Sequence, residues 1–244
     1  MSIASEIQRI RSNVASAYSA CAAKGATMPA EQNTANLPAT IVSIPSFVRV
    51  EYLESTGTQY VDTGIRTGPG TRSETDVAVL DWDASAYALS GAGSNRHVFG
   101  KGYSGASSGS GNAAKLYFGL GAQNYPSSVA LSGLAGVRHV YWIDAPSATA
   151  GIDGTSFSLG SAGTIGTNDF TSLLLAQRQS ATGTRGQMAA RLYGCRYYEA
   201  GELVLDLVPV RVGPLGLLYD RVSGDVFPNA GTGAFILGPN LTAT

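Results

Sequence analysis

Apolar positions change their period once along this chain. Over the first two dozen residues Ile3, Ile7, Ile10, Val14, Ala17 and Cys21 recur at spacings of 4, 3, 4, 3 and 4. That rhythm is a heptad seam and predicts an oligomerisation helix over residues 1–25. Ile on both core positions shifts preference from two strands toward three or four, so a homotrimer is expected. In this register Glu6 falls at g and Arg11 at the following e, the offset that pairs charges between parallel helices. Three heptads are marginal alone, so some partner surface must cover the stripe, a packed β domain being the alternative to further copies. Lys24 followed by Gly25 supplies a helix stop. Residues 26–46 read as a connector: Met28-Pro29 breaks the first helix, and Asn36 is placed to cap a short second one. Its Leu37, Ile41 and Ile44 would share a face, and Pro45 would end it.

From Phe47 to the last residue, 47–244, the pattern becomes short apolar runs divided by Gly, Ser, Thr and Asn. Strands are predicted at Val48–Glu54, Thr75–Trp82, His97–Lys101, Lys115–Gly119, Arg138–Asp144, Thr171–Ala176, Met188–Tyr198 and Leu203–Val212. A last pair is predicted at Leu217–Arg221 and Asp225–Phe227. Ala200-Gly201 and Ser223-Gly224 have the composition of two-residue hairpin turns. Many strands without intervening helical periods predict a mainly β fold, an antiparallel two-layer β-sandwich or jelly roll behind a helical segment. Ser104–Gly111 reads as a loop.

Composition narrows the function classes. Sixteen basic residues against 17 acidic give a formal net charge of −1 in 244 residues. Nucleic acid, held chiefly by Lys and Arg on phosphate, is therefore not an expected partner. No run of about 20 apolar residues indicates membrane insertion. No apolar secretory leader is visible, and two cysteines make no disulfide framework, so synthesis in a reducing cytoplasm is expected.

Catalytic motifs match formally and fail in context. Gly105-Ala-Ser107-Ser-Gly109 spells G-x-S-x-G, but no helix follows and no Asp or Glu lies between Ser107 and His139. Gly100-Lys-Gly102-Tyr-Ser-Gly105 spells GxGxxG without its helix or its later acid. No zinc-ligand spacing is present, and no cofactor is expected. Asp81 and Asp83 flank Trp82 on one face of a strand. They are weak candidates for Ca²⁺ or for a glycosidase pair, against the plainer reading of a strand end entering solvent. Twelve Tyr and two Trp outnumber seven Phe, so most rings carry a polar handle suited to recognition. The candidate ligand-binding residues are Trp82, Tyr87, Arg96, His97, Tyr103 and Tyr125, with Tyr103 and Tyr125 expected in exposed loops.

Two phrases carry a resemblance. Val50-Glu-Tyr-Leu-Glu-Ser-Thr-Gly-Thr-Gln-Tyr-Val-Asp-Thr-Gly-Ile65 resembles the opening of laminin-G-like, concanavalin-A-like jelly rolls of bacteriophage and prophage structural proteins. Leu218-Tyr-Asp-Arg-Val-Ser-Gly-Asp-Val-Phe-Pro-Asn-Ala-Gly-Thr-Gly-Ala-Phe235 is similar to the closing signature of the same modules. Lys24-Gly-Ala-Thr-Met-Pro29 and Asn36-Leu-Pro-Ala-Thr-Ile41 are similar to helical attachment regions of phage tail proteins. The resemblance implies a virion protein: a tail-fibre or receptor-binding appendage, joined to other virion proteins through its N-terminal segment. Its β-sandwich would then recognise a host-surface glycan or protein without being an enzyme. The alternatives are a structural head fibre, collar or decoration protein, a polysaccharide-cleaving enzyme, and an adhesin-like lectin.

Overall fold

The structure, a computed structural model, describes residues 2–23, 26–42, 47–80, 99–100, 115–120, 123–130, 136–158, 170–178, 183–185 and 187–241. The chain forms two compact units, Met1–Phe47 and Val48–Thr244.

In the first unit, helix α1 (Ile3–Ala23) starts at Ser2, whose Oγ accepts the Ser5 N–H at 3.2 Å, an N-cap. Glu6 pairs with Arg9 of the same helix rather than standing free for a neighbouring one. The seam is covered unevenly. Ile3 is 82% exposed and Ile7 and Ile10 are each 47% exposed, whereas Cys21 is buried at 6% within the single chain. Tyr18, fully buried, donates its hydroxyl to the Asn33 carbonyl at 2.7 Å and pins the connector to the helix. Connector and helix are thus one unit. Helix α2 (Leu37–Val42) follows Asn36, whose carbonyl, not its side chain, accepts the Thr40 N–H and hydroxyl. Its buried position is Thr40, while Ile41 is half exposed, which corrects the expected Leu37–Ile41–Ile44 face. Ile44 lies outside the described residues.

The second unit is antiparallel throughout its described pairings. In chain order the strands are β1 (Val48–Arg49), β2 (Leu53–Thr56), β3 (Val61–Asp62), β4 (Thr71–Val79), β5 (Phe99–Gly100) and β6 (Lys115–Leu120). Next come β7 (Gln123–Ala130), β8 (Arg138–Asp144), β9 (Thr149–Ile152), β10 (Thr155–Ser158), β11 (Leu173–Leu174) and β12 (Gln177–Arg178). The last are β13 (Thr184–Arg185), β14 (Ala189–Glu199), β15 (Glu202–Val212), β16 (Leu215–Asp220), β17 (Val226–Phe227) and β18 (Ile236–Leu237).

Among the described residues an 11-stranded sheet has the path β10-β9-β8-β4-β14-β15-β16-β17, and β1, β2 and β18 join it from the side. Strand β14 pairs β4 along its length, but its other edge is shared: Ala189–Leu192 meets β2 and Cys195–Glu199 meets β15. Residues 48–56 therefore fill the space that opens as β14 and β15 diverge. A smaller sheet, β3-β11-β5, sends Val61 and Leu174 into the same core as Leu53, Val77, Leu192 and Leu218 of the large sheet. Two layers sharing one core make this a mainly β fold of sandwich type.

The two phrases that carry the resemblance meet in space. Thr232 N–H donates to the Thr58 carbonyl at 3.2 Å, Ala230 N–H to the Tyr60 carbonyl at 2.8 Å, and Gln59 Nε2 to the Ala234 carbonyl at 3.1 Å. They close the fold on itself. Ala200-Gly201 forms the expected two-residue turn, with φ of 50° and 86° suited to a type I′ hairpin. Ser223-Gly224 does not: residues 221–224 form a four-residue loop because the Asp220 carboxylate accepts the Val222 and Ser223 N–H groups. Tyr125, expected in a loop, lies on strand β7 opposite Phe118. Its short polar neighbours read as loop, but the pairing with the apolar β6 makes them strand.

Candidate functional site

The face of the large sheet turned away from the core is built by one irregularity. In β4, Ser73, Thr75 and Val77 are buried, and Arg72, Glu74 and Asp76 alternate outward. In β14 the buried residues are Ala190 and Leu192, then Cys195 and Tyr197, a spacing of three where a regular strand has two. Leu192 pairs Val77 and Gly194 pairs Asp76, so one residue is extra: a β-bulge at Tyr193. Without it Tyr193 and Tyr198, an odd number of residues apart, would point to opposite faces. With it both accompany Arg191 and Arg196 outward.

Gly194 leaves the position beside Asp76 without a side chain. A Cβ there would lie 3.0 Å from the Leu207 carbonyl. Over this gap opens a cavity of about 210 Å³ whose polar lining includes Arg49, Glu74, Asp76, Tyr193, Arg196, Asp206 and Arg221. A second cavity of about 610 Å³, lined by Gly70, Arg72, Asp144, Pro146 and Tyr198, shares Glu74 with the first.

Register sets the charges. Arg196 sits directly between Glu74 on β4 and Asp206 on β15. Its Nη1 is 3.8 Å from Glu74 and its Nε 3.6 Å from Asp206, near enough for attraction and too far for a hydrogen bond. Each carboxylate instead takes another arginine: Arg72 donates to Glu74 at 2.8 Å, Arg221 to Asp206 at 2.9 Å, and Arg138 to Asp76 through two bonds of 2.8 and 2.7 Å. The bond to Asp76 raises the Arg138 pKa above its ordinary value.

The Arg138 guanidinium lies 4.1 Å over the Tyr193 ring, which meets Tyr52 edge-on at 5.5 Å. Arg191 covers Tyr52 at 4.9 Å and reaches Glu54 at 2.7 Å. Burial pushes the Tyr193 phenol up, and the two arginines only partly offset it, so it remains a neutral donor. Trp142 is committed to the fold. A Cβ on Gly151 would fall 2.4 Å from its ring, Arg72 lies 5.0 Å over it, and its N–H donates to the Asp153 carbonyl.

Carboxylate acceptors, guanidinium donors and a phenol suit the hydroxyls of a polyol. The site supplies no activated thiol: Cys195 faces the core, where burial pushes it up to about 12. Among the described residues no group of three or more His, Cys, Asp or Glu is set to hold a metal, and no helix is long and apolar enough to cross a membrane.

Of the residues singled out from sequence, Asp81, Trp82, Asp83, Tyr87, Arg96, His97 and Tyr103 lie outside the described residues. Sequence reasoning missed Tyr193, Arg196, Glu74, Asp76 and Asp206. The available signal was Gly194 isolated within a strand pattern, a mark of a bulge or a close backbone approach.

No family model and no curated protein matches this chain. Among solved structures it is similar to a candidate carbohydrate-binding protein of Bacteroides ovatus, at 13% identity and a TM-score of 0.45. The similarity covers 82% of this chain and 62% of that one.

Proposed function

We propose that the β unit is a glycan-binding module of a virion appendage, acting by recognition and not by catalysis. The observation that supports it best is the position of Arg196. Held between two carboxylates beyond hydrogen-bond reach, it leaves its own N–H groups, Glu74 Oε2 and Asp206 Oδ1 open to ligand hydroxyls. Tyr193 and the gap over Gly194 stand beside them. The second cavity, sharing Glu74, extends the surface toward Tyr198.

The N-terminal unit is the attachment and self-association element in this reading. Ile3, Ile7 and Ile10 present an uncovered apolar stripe, and three copies of α1 bury it in a parallel homotrimer. Cys21 lies inside its own chain, so the shared seam spans the first two heptads. Three weak sites on one assembly gain about 10²–10⁴ in avidity.

The test is a glycan array followed by titration calorimetry on the full chain. Tyr193→Ala and Gly194→Val are expected to lower affinity by about tenfold or more, the loss of one charge-assisted bond or one ring contact. Unchanged binding would place the ligand elsewhere. A folded chain that binds no glycan would favour the decoration reading, and release of reducing ends would favour the enzyme. Light scattering should report a trimer that Ile7→Glu with Ile10→Glu converts to a monomer.

A further inference from the structure

Resting on that reading, we propose that the recognised glycan is acidic, and that its anionic group seats against Arg49 and Arg196 in the cavity over Gly194. The hydrogen-bond ledger of that cavity is unequal. Its three carboxylates, Glu74, Asp76 and Asp206, each already accept an arginine. Two of those arginines, Arg72 and Arg138, are not part of the cavity wall. The third, Arg221, directs both Nε and Nη2 to the same Asp206 oxygen and keeps Nη1.

Two guanidinium groups of the wall are left over. The Arg196 guanidinium makes no hydrogen bond to a described residue, and that of Arg49, exposed on β1, meets no carboxylate among them. Glu51, whose charge acts on Arg138 and Tyr193, does not line the cavity. A guanidinium has five N–H donors and no acceptor. Against those of Arg49 and Arg196 the wall offers two uncommitted oxygens, Glu74 Oε2 and Asp206 Oδ1. The ligand must therefore bring acceptors in excess of donors. A neutral sugar hydroxyl brings one O–H donor beside its two lone pairs, and each such donor draws on the same two wall oxygens. An ionised carboxylate or phosphate brings acceptors only, in a geometry that an arginine fork meets with two bonds.

The experiment compares oligogalacturonic acid with its methyl ester, which keeps the ring and removes the charge, by titration calorimetry on the full chain. A poly(glycerol phosphate) arm distinguishes phosphate from carboxylate as the source of the anion. The acid, or the phosphate polymer, is expected to bind about tenfold tighter than the ester, the increment of a charge-assisted over a neutral bond. That preference should shrink with rising salt. Arg49→Gln and Arg196→Gln should each erase it at unchanged melting temperature. Arg196→Lys should not restore it, because an ammonium cannot form the fork. Equal binding of acid and ester, both lost in Tyr193→Ala, would overturn the acidic assignment and leave the glycan site standing. Binding confined to uncharged glycans would overturn it too. No binding to any glycan would remove both.

Discussion

Gly231 offers the sharpest test of what the closing phrase of the chain does. A Cβ placed on it would stand 2.1 Å from the Thr58 carbonyl oxygen, 2.9 Å from a Tyr60 ring carbon and 3.1 Å from the Gln59 Cα. Two of those three atoms are backbone and cannot rotate away. Gly231→Ala must therefore push residues 229–234 off residues 58–60, stretching the Ala230–Tyr60 and Thr232–Thr58 bonds that close the domain. Overpacking of this kind costs about 1–3 kcal/mol. Each weakened hydrogen bond adds up to about 1 kcal/mol. A total near 3 kcal/mol, at about 2–4 °C per kcal/mol for a domain this size, lowers the melting temperature by roughly 6–12 °C. The control is Gly154→Ala, whose Cβ would meet nothing within 4 Å and should change stability by less than about 0.5 kcal/mol. Calorimetric melts of the two variants decide the matter. If Gly231→Ala melts within about 2 °C of the parent, the phrase is not a structural closure.

Two further outcomes follow from buried groups. Burial pushes the Asp220 carboxyl up, but hydrogen bonds from Asp206 N–H, the Ser223 hydroxyl and the Val222 and Ser223 N–H groups outweigh it and hold it below its ordinary value. Its stabilisation is therefore complete above the unfolded value near 3.9 and is lost as pH falls through the folded one. Asp220→Asn should cost about 1–3 kcal/mol at neutral pH and flatten the acid limb of a urea-stability profile, and an unchanged limb would refute the assignment. The Cys195 thiol, pushed up to about 12 by burial against a weaker opposing bond from Thr75, should resist a thiol reagent in the native Cys21→Ser variant and react once unfolded. Equal rates in both states would refute it.

The fold was legible where periodicity is local. Arg138–Asp144 appears as predicted, and the long hairpin around Ala200-Gly201 begins and ends within a few residues of its expected bounds. What escaped was short or shared. Asp153-Gly154, a turn dipeptide, joins β9 to β10, but the flanking Thr149–Ile152 and Thr155–Ser158 carry too few apolar residues to announce strands. The single run Val48–Glu54 proved to be two strands, because it leaves β15 and passes to β14 where those two diverge. No local pattern encodes a contact such as Thr58 to Thr232, 174 residues apart.

The site was less legible for a related reason. A strand read from sequence is assumed regular, and in a regular β14 the inward set that starts at Ala190 and Leu192 would continue at Gly194, Arg196 and Tyr198. That assignment buries Arg196 and exposes Cys195 and Tyr197, the reverse of what burial of a charge and of an aromatic favours. One inserted residue at Tyr193 resolves the conflict, since a shift of one exchanges the faces. The alternation error in Leu192-Tyr193-Gly194-Cys195 is thus itself the evidence for the bulge. The same insertion that keeps Cys195 and Tyr197 in the core brings Arg196 level with Glu74 and Asp206 and leaves the gap at Gly194. Because Tyr193 is the one extra residue, deleting it should make Leu192–Val77, Gly194–Asp76 and Cys195–Thr75 consecutive regular pairs and keep Cys195 and Tyr197 in the core and Arg196 level with Glu74 and Asp206. Loss of the cooperative melt in that variant would refute the bulge as the insertion.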